Sequence, residues 1–478
     1  MSADPYAAIR FSDRPIAEPL PDPGTYVLAP GAITADCERK PAHSLRDLYP
    51  NIADFRTYPV DAYRSRDAMA AEWSRLWPKV WLLAGPASDV PSVGDFFRFD
   101  LGDQSIIIVR SATDRVQAFH NVCKHRGNQL VRDDFGRHAK SFTCIVHSWC
   151  WNLKGRNVRV TDRETFRPEA LCGSLDLAEV TVKQWGGLIF ITLNSNPMPF
   201  EEYYGGLLPT LASYRIDELF VIKDLTIEVA ANWKTMYTVF NESYHAHATH
   251  PQIKPAVEDY YIQADFYPNG HNRHLFPVGQ ISHRWPDRVG INDGLAHLLR
   301  EAGIDPATFT GTAADVRRAI QRAKRQPDNA YGIDYSGWTD NQLTDDWNPA
   351  LFPNVTLNMH PEGVLLMRFR PHASDPERGY YDVMVLARKL GKGMRPPAYM
   401  GVDDHADISG KTRPSRIRAT MDNPQAGELL EQDFANFVSL QRGMRSLGLG
   451  GIMRYSEQEQ RIQQFHAELD LYLSGKKG

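Results

Sequence analysis

Two short segments of this chain each carry one thiol and one imidazole. Cys123-Lys124-His125 is followed downstream by Cys144-Ile145-Val146-His147. A common zinc finger groups Cys with Cys and His with His; here each loop supplies one of each. That arrangement suits a [2Fe–2S] cluster in which both thiolates hold one iron and both imidazoles the other, at a potential above that of an all-Cys cluster. Gly127, just past His125-Arg126, permits a tight turn around such a group. The bland alternative is a zinc site or unconnected core residues. Cys150, with Cys37 and Cys172, reads as an ordinary thiol.

A second group is denser. Asn241-Glu242-Ser243-Tyr244-His245-Ala246-His247-Ala248-Thr249-His250-Pro251 holds three histidines in six residues. Positions i and i+5 lie about 140° apart on a regular helix. His245 and His250 therefore meet one metal only if the helix loosens or ends between them, which Thr249 and Pro251 favour. His247 and His250 form the easier pair on an unbroken helix, and spacing does not choose between them. A carboxylate is available far downstream in AGELLEQDFANFVSLQRG, where Asp433 shares a face with Leu429, Leu430, Asn436, Phe437 and Leu440. A carboxylate on a mostly apolar stripe is costly unless paired or metal-bound. Two His and one carboxylate with open positions make the facial triad of non-haem Fe(II) oxygenases. A salt-bridged helix carboxylate is the plainer reading of Asp433 taken alone.

The rest of the chain must hold these groups in place. Its 478 residues, 42% hydrophobic and 23% charged, suffice for two or three domains with sizeable cores. A formal net charge of −4 gives no reason to expect a nucleic-acid partner. The opening MSADPYAAIRFSDRP lacks the pattern of a signal peptide. No apolar run reaches membrane-spanning length. Five scattered cysteines do not make a disulfide framework, so a cytoplasmic enzyme is expected. Residues 1–60 are Pro-rich and read as an extended arm. A helix at DAMAAEWSRLW leads into short strands, FFRFD, QSIIIVR, VQAFHNV, FTCIVH and GGLIFITLN, which mark an all-β unit over 61–195. Beyond the linker NSNPMP, residues 196–478 mix strands (DLTIEVAANW, NVTLNMH, GVLLMRFRP, YYDVMVLARK) with helices (DGLAHLLREAG, AADVRRAIQRAKRQ, AGELLEQDFANFVSLQRGMRS). The charged RRAIQRAKR reads as a solvated helix face.

CKHRG and CIVHSW resemble the cluster-binding loops of Rieske-type [2Fe–2S] domains, with Val146 and Ser148 where that family has an aromatic residue and Gly. NWK…ExYHxxxxH resembles the signature of the α subunits of Rieske non-haem iron oxygenases, and EQDFANFVSLQRG their C-terminal helix. The resemblance runs from about residue 60 to the end. It implies an α+β chain: an all-β Rieske [2Fe–2S] domain followed by a helix-grip catalytic domain with an antiparallel sheet. It selects His245, His250 and Asp433 as ligands of a mononuclear Fe(II), and Cys123, His125, Cys144 and His147 as cluster ligands. His247 is left as a neighbouring or exposed histidine. Glu242, where Asp is commoner, takes the part of the acid that bridges the iron site to a Rieske His of the adjacent subunit. Tyr237 and Thr238 replace a common Glu-Asn pair.

The implied activity is that of a terminal oxygenase. It would use O₂ and electrons from a ferredoxin or flavin reductase for dihydroxylation, monohydroxylation or oxidative demethylation of a small hydrophobic aromatic or alicyclic substrate. The implied assembly is a homotrimer, with or without a β subunit, and neither nucleic acid nor membrane is among its partners. Apolar residues near the ligand-bearing segments (Met236, Phe240, Phe266, Leu357, Met359, Met367, Phe434 and Phe437) either line a pocket or pack a core. The stretch from about 265 to 345 reads as a lid, an entrance or a peripheral insertion. The competing readings are a non-catalytic Rieske electron carrier with a vestigial iron site, and a zinc hydrolase built on His245, His247 and His250.

Overall fold

Alternating burial along Phe96–Leu101, with Phe97, Phe99 and Leu101 inward, is the period-2 signature of a half-buried strand. In the computed structural model, which describes residues 45–50 and 57–478, this strand belongs to a seven-stranded antiparallel sheet. Its order is Leu82–Pro86, Leu188–Thr192, Glu179–Trp185, Arg115–His120, Gln104–Ala112, Phe96–Leu101, Phe135–Gly136. A three-stranded sheet of Ser141–Thr143, Cys150–Asn152 and Asn157–Arg159 carries the second Cys/His loop. The expected strand FTCIVH stops at Thr143. Cys144 to His147 turn instead, because Cys144 N and Ser148 N close a loop on Trp149 O and Cys144 O. The expected arm over 1–60, and Cys37 with it, falls mostly outside the described residues.

The larger sheet has eight strands in the order Gln263–Phe266, Asn272–Phe276, Asp346–Leu351, Val355–His360, Gly363–Pro371, Gly379–Ala387, Phe220–Val229, Ile417–Ala419. Every pairing in it is antiparallel except the last. Helix Trp233–Val239 packs on strands Gly363–Pro371 and Gly379–Ala387 and against helix Glu428–Gly443, and helix Gln460–Leu473 packs near strand Gln263–Phe266. The chain is thus α+β, with a β-rich unit followed by a sheet wrapped around helices.

The two faces of Gly363–Pro371 do different jobs. Odd positions Leu365, Met367 and Phe369 face the helices, while Arg368 and Arg370 face the smaller unit. Arg368 donates to the carbonyls of Leu83 and Ala84, and Arg370 to that of Asp100. Both guanidinium groups converge on Asp382, at 2.9 and 2.7 Å. Burial opposes the Asp382 charge, yet Arg370 and Arg368 hold the carboxyl far below the usual range. One apolar core, from Leu76 and Trp77 through Ile189 to Val383 and Phe437, runs through both units.

The segment 265–345 is not peripheral. Helices Asp293–Glu301 and Ala313–Lys324 pack on each other, and the second packs on the short helix Asp340–Thr344 that leads into the large sheet. RRAIQRAKR departs from its solvated reading, because Arg317 and Lys324 are buried. Arg317 pairs with Asp345, and Lys324 with Glu362 at 2.8 Å. The helix Gln460–Leu473 carries buried Gln, Arg, His and Glu side chains beside the apolar Ile462, Phe465, Leu469 and Tyr472. Removing the shared carboxylate in Asp382→Ala strands two buried guanidinium groups and is expected to cost about 3–5 kcal/mol in urea unfolding. Asp382→Asn should cost less.

Candidate functional site

The first Cys/His group is assembled. The Cys123 and Cys144 thiols are buried and in mutual hydrogen-bonding contact. The His125 and His147 rings meet with centroids 4.7 Å apart at the protein surface. Thiol beside thiol and imidazole beside imidazole is the donor set that two unlike irons require. Burial opposes a charge on Cys144. The backbone N–H groups of Val146 and His147, the Cys123 thiol and Asn128 outweigh it and bring the thiol below its ordinary pKa. The loops are held by Cys123 N to Asn128 O and Cys144 N to Trp149 O, both 2.8 Å. Gly127 has φ +81°, as its turn demands. Ser148 is also left-handed, at φ +57°, where a side chain is strained.

Trp149 escaped the sequence reading. Its ring stacks on His125 at 5.1 Å and 10°, and Phe166 closes the edge of both. The visible signal was an aromatic residue two positions past His147. Cys150 stands apart, its sulfur accepting from Thr143 Oγ1 at 3.2 Å. Cys172 is exposed.

The second group forms around a broken helix. Asn232 caps Trp233–Val239 by accepting from Lys234 N at 2.9 Å, and all seven helical residues are buried. The helix ends at Phe240. His245 then precedes the short turn Ala246–Thr249, and His250, with φ −120° and ψ 58°, terminates it before Pro251. This break lets residues at i and i+5 face one point. One ligand atom each from His245, His250 and Asp433 lies within 4.8 Å of the others. Asp433 Oδ1 is 3.6 Å from His245 Nε2 and 3.2 Å from His250 Nε2. His247 is not brought to this point; it packs on Tyr244.

Each imidazole is oriented from behind. Glu242 Oε1 meets His245 Nδ1 at 2.5 Å, and Glu242 Oε2 accepts from His245 N at 3.0 Å. Gln432 Oε1 meets His250 Nδ1 at 2.7 Å. Accepting an N–H at Nδ1 fixes the tautomer that leaves Nε2 free as a donor atom. Burial opposes a charged His245, but Glu242 and Asp433 raise it to about 9. Asp433 is 1% exposed and its Oδ1 has no hydrogen-bond donor among the described residues. A buried carboxylate oxygen without a hydrogen-bond donor, facing two Nε2 atoms, is a donor set that fits a divalent metal.

Gln441 sets the helices against each other. Its Oε1 accepts from Asn232 N at 2.9 Å and from Thr235 Oγ1 at 2.8 Å, two turns along from Asp433. The buried stripe of that helix is Leu430, Asp433, Phe434, Phe437 and Gln441; Leu440, expected on this face, is exposed. Phe240, Phe434 and Phe437 gather around Phe369 and Tyr381 beneath the site.

A cavity of about 380 Å³ opens from the triad along the large sheet. Of the apolar residues singled out in the sequence, Phe240 and Met367 line it; the other six pack in the interior. Tyr237 is likewise a core residue, packed among Trp233, Phe369 and Phe465. The 265–345 segment supplies one wall through Phe276, Leu298 and Ile320.

Residues 216–475 match the family model described as "Ring hydroxylating alpha subunit (catalytic domain)", and 80–175 match "Rieske [2Fe-2S] domain". The chain belongs to the ring-hydroxylating α-subunit family. Over 225 residues it is 31% identical to the glycine betaine monooxygenase oxygenase subunit of Pseudomonas aeruginosa, covering 46% of this chain and 48% of that protein. Over 270 residues it is 28% identical to the 2-aminobenzenesulfonate 2,3-dioxygenase subunit alpha of Alcaligenes sp., covering 54% and 66%. The chain thus spans about half the length of the glycine betaine relative it matches. Among solved structures, naphthalene 1,2-dioxygenase with bound indole superposes with TM-score 0.61 at 18% identity, over 88% of this chain and 93% of that one. A quaternary ammonium Rieske monooxygenase with L-carnitine superposes with TM-score 0.58 at 17%, over 86% and 94%. At these identities the likeness is one of fold. The family brings a Rieske [2Fe–2S] cluster and a mononuclear iron as cofactors.

Two substitutions test the cluster loops. Cys144→Ser is expected to bleach the visible spectrum, whereas Cys150→Ser keeps it. At the second site, Asp433→Ala is expected to retain the cluster spectrum with about one iron fewer per chain, since two imidazoles alone hold Fe(II) weakly. Unchanged iron content in Asp433→Ala, or bleaching in Cys150→Ser, would refute the respective assignment.

Proposed function

We propose that this chain is a terminal oxygenase α subunit. Residues 61–195 hold the cluster through Cys123, His125, Cys144 and His147, and 196–478 hold Fe(II) through His245, His250 and Asp433. The observation that carries this reading is the orphaned Asp433 Oδ1 facing two Nε2 atoms at the mouth of a buried cavity, in a chain that also carries the paired cluster loops. When bound, the cluster supplies single electrons and the facial-triad iron supplies the site of O₂ activation. Glu242 and Gln432 keep both Nε2 atoms aimed at one point. Phe240, Met367 and Leu430 exclude water and hold an apolar substrate carbon near the triad. The intact triad and the cavity speak against a carrier with a vestigial site.

Electrons come, in this reading, from a separate ferredoxin or flavin reductase, in a cytoplasmic homotrimer with or without a β subunit. Among the described residues no helix is long and apolar enough to cross a membrane. Glu242 is the proposed bridge to a cluster His of the neighbouring subunit. His245 of its own chain already uses one lone pair on each Glu242 oxygen, and a carboxylate has about four. A further donor therefore has somewhere to bind.

The purified protein is expected to contain three irons per chain, to give a low-average-g signal on dithionite reduction, and to place ¹⁸O from ¹⁸O₂ in an organic product when supplied with a matched reductase. Zinc in place of iron, with no such signal, would refute the reading. In Glu242→Gln, both metals should remain and the cluster should still reduce. Rapid mixing with substrate and O₂ should then leave the reduced-cluster spectrum in place. Reoxidation at the parent rate would remove Glu242 from the electron path.

A further inference from the structure

The cavity does not end as it begins. Around the triad its wall is aromatic and aliphatic, but at the opposite end the sheet presents Asp346 and His360 in one cross-strand row with Gly363, and Glu362 follows at the turn. The Met367 row and the Gly363 row are four residues, about 13 Å, apart along the strand. Phe369 and Tyr381, which pack against Phe240 and Phe434, mark the triad end of the same strands. A molecule filling the cavity therefore spans from an oxidising centre to a remote polar end.

That end is out of balance in charge and in hydrogen bonds. Glu362 is 1% exposed. Its Oε1 accepts from Lys324 Nζ at 2.8 Å and from the Tyr335 hydroxyl, while its Oε2 meets no donor among the described residues. Asp346 Oδ2 accepts from Asn358, but Oδ1 has no donor and stands 3.7 Å from His360 Nε2. His360 Nε2 is itself buried without a partner, as is the Tyr399 hydroxyl, and both residues line the cavity. Glu301 adds a third carboxylate, with His297 at 3.4 Å. Against these, Lys324 is the one Lys or Arg lining the cavity among the described residues, and it is spent on Glu362 and on the Leu343 carbonyl at 2.7 Å. A buried acceptor left without a donor costs about 1–3 kcal/mol, more when charged, so such atoms in a cavity wall are places where a ligand gains affinity.

We infer that this far end is a recognition subsite for a protonated amine bearing N–H groups, whose nitrogen donates to Glu362 Oε2 and Asp346 Oδ1 while its apolar body reaches back to the triad. This rests on the oxygenase reading for which end of the molecule is oxidised, and it narrows that reading's substrate to an amphipathic cation. Burial holds His360 down at about 4, so near neutral pH its imidazole is uncharged and adds no positive charge to this end. The same burial pushes the Asp346 carboxyl up to about 7, and a bound ammonium beside it favours its ionised form. An anionic ligand would face Asp346, Glu301 and Glu362 with Lys324 as the one lining cation, already paired to Glu362. A quaternary ammonium would bring the charge but no N–H, leaving both orphaned oxygens without a donor.

Calorimetric titration of the purified, metal-loaded protein with four probes of one shape tests this: 4-phenylbutylamine, 4-phenylbutanol, 4-phenylbutyrate and 4-phenylbutyltrimethylammonium. The amine is expected to bind at least tenfold more tightly than each of the other three. In Asp346→Asn and in Glu362→Gln the amine-to-alcohol ratio should fall toward one. Asp346→Asn keeps the shape of the strand residue, so it serves if loss of the Lys324 partner unfolds Glu362→Gln. Equal binding of amine and alcohol, equal binding of the quaternary probe, or a ratio unmoved in Asp346→Asn would overturn the subsite. Oxygen uptake with a matched reductase is read separately. Selective amine binding without any O₂-dependent product would refute the oxygenase reading and leave the subsite standing. Turnover of neutral hydrophobes without amine selectivity would do the reverse.

Discussion

Everything in the larger unit answers to one buried carboxylate oxygen. Asp433 sits in the apolar stripe of a sixteen-residue helix, 1% exposed, with Oδ1 facing two imidazole nitrogens and no donor. Burying an ionised carboxylate this way is unfavourable by several kcal/mol unless a cation meets it. The fold places that cost next to two imidazoles whose outer nitrogens are already spoken for. A divalent metal ion among these three donor atoms would offset that cost.

Several otherwise odd features follow from holding that point. The helix Trp233–Val239 must stop short so that His245 and His250 can converge, and Pro251 ends the next turn just after His250. Gln441 spends its carboxamide on the capped start of that helix rather than on solvent, which fixes the distance between the imidazole segment and Asp433. Lys234 and Trp233, buried on the same short helix, both bind Glu72 and so tie it to the helix Arg66–Arg75. On the sheet, the Arg368–Asp382–Arg370 network on the outer face anchors the strands whose inner face lines the cavity. The polar far end of that cavity is built on the adjoining strands Asp346–Leu351 and Val355–His360 and on the turn into Gly363–Pro371, so site and substrate wall share one sheet.

The proposed metal-binding residues were legible because their chemistry leaves few alternatives. Paired Cys/His loops and a dense His segment stand out from composition, and the strands around them carry clear period-2 and aromatic signals. Spacing alone left His245–His250 and His247–His250 open, and resemblance to the Rieske oxygenases chose between them. The geometry shows why the i, i+5 pair converges: the helix is broken. The cavity wall was illegible for the opposite reason. Met236 and Phe437 sit close to the ligands in sequence yet pack inward, while Glu362, His360 and Lys324 line the cavity through tertiary contacts between strands and helices far apart in the chain. Lys324 also shows the limit of charge patterning, since an apparently solvated run of Arg and Lys contributes a buried cation. Helix Gln460–Leu473 interleaves its apolar residues with buried polar side chains such as Arg461, which donates to Asn348, and that mixture masks its burial in the sequence.

Anomalous diffraction from crystals of the as-purified protein, collected on both sides of the iron edge, addresses the central claim most directly. The account predicts two separate iron-specific peaks per chain. One is compact and lies among His245 Nε2, His250 Nε2 and Asp433 Oδ1. The other is elongated and lies between the Cys123/Cys144 thiols and the His125/His147 rings. A peak at the zinc edge in either place, or no iron density beside Asp433, would contradict it.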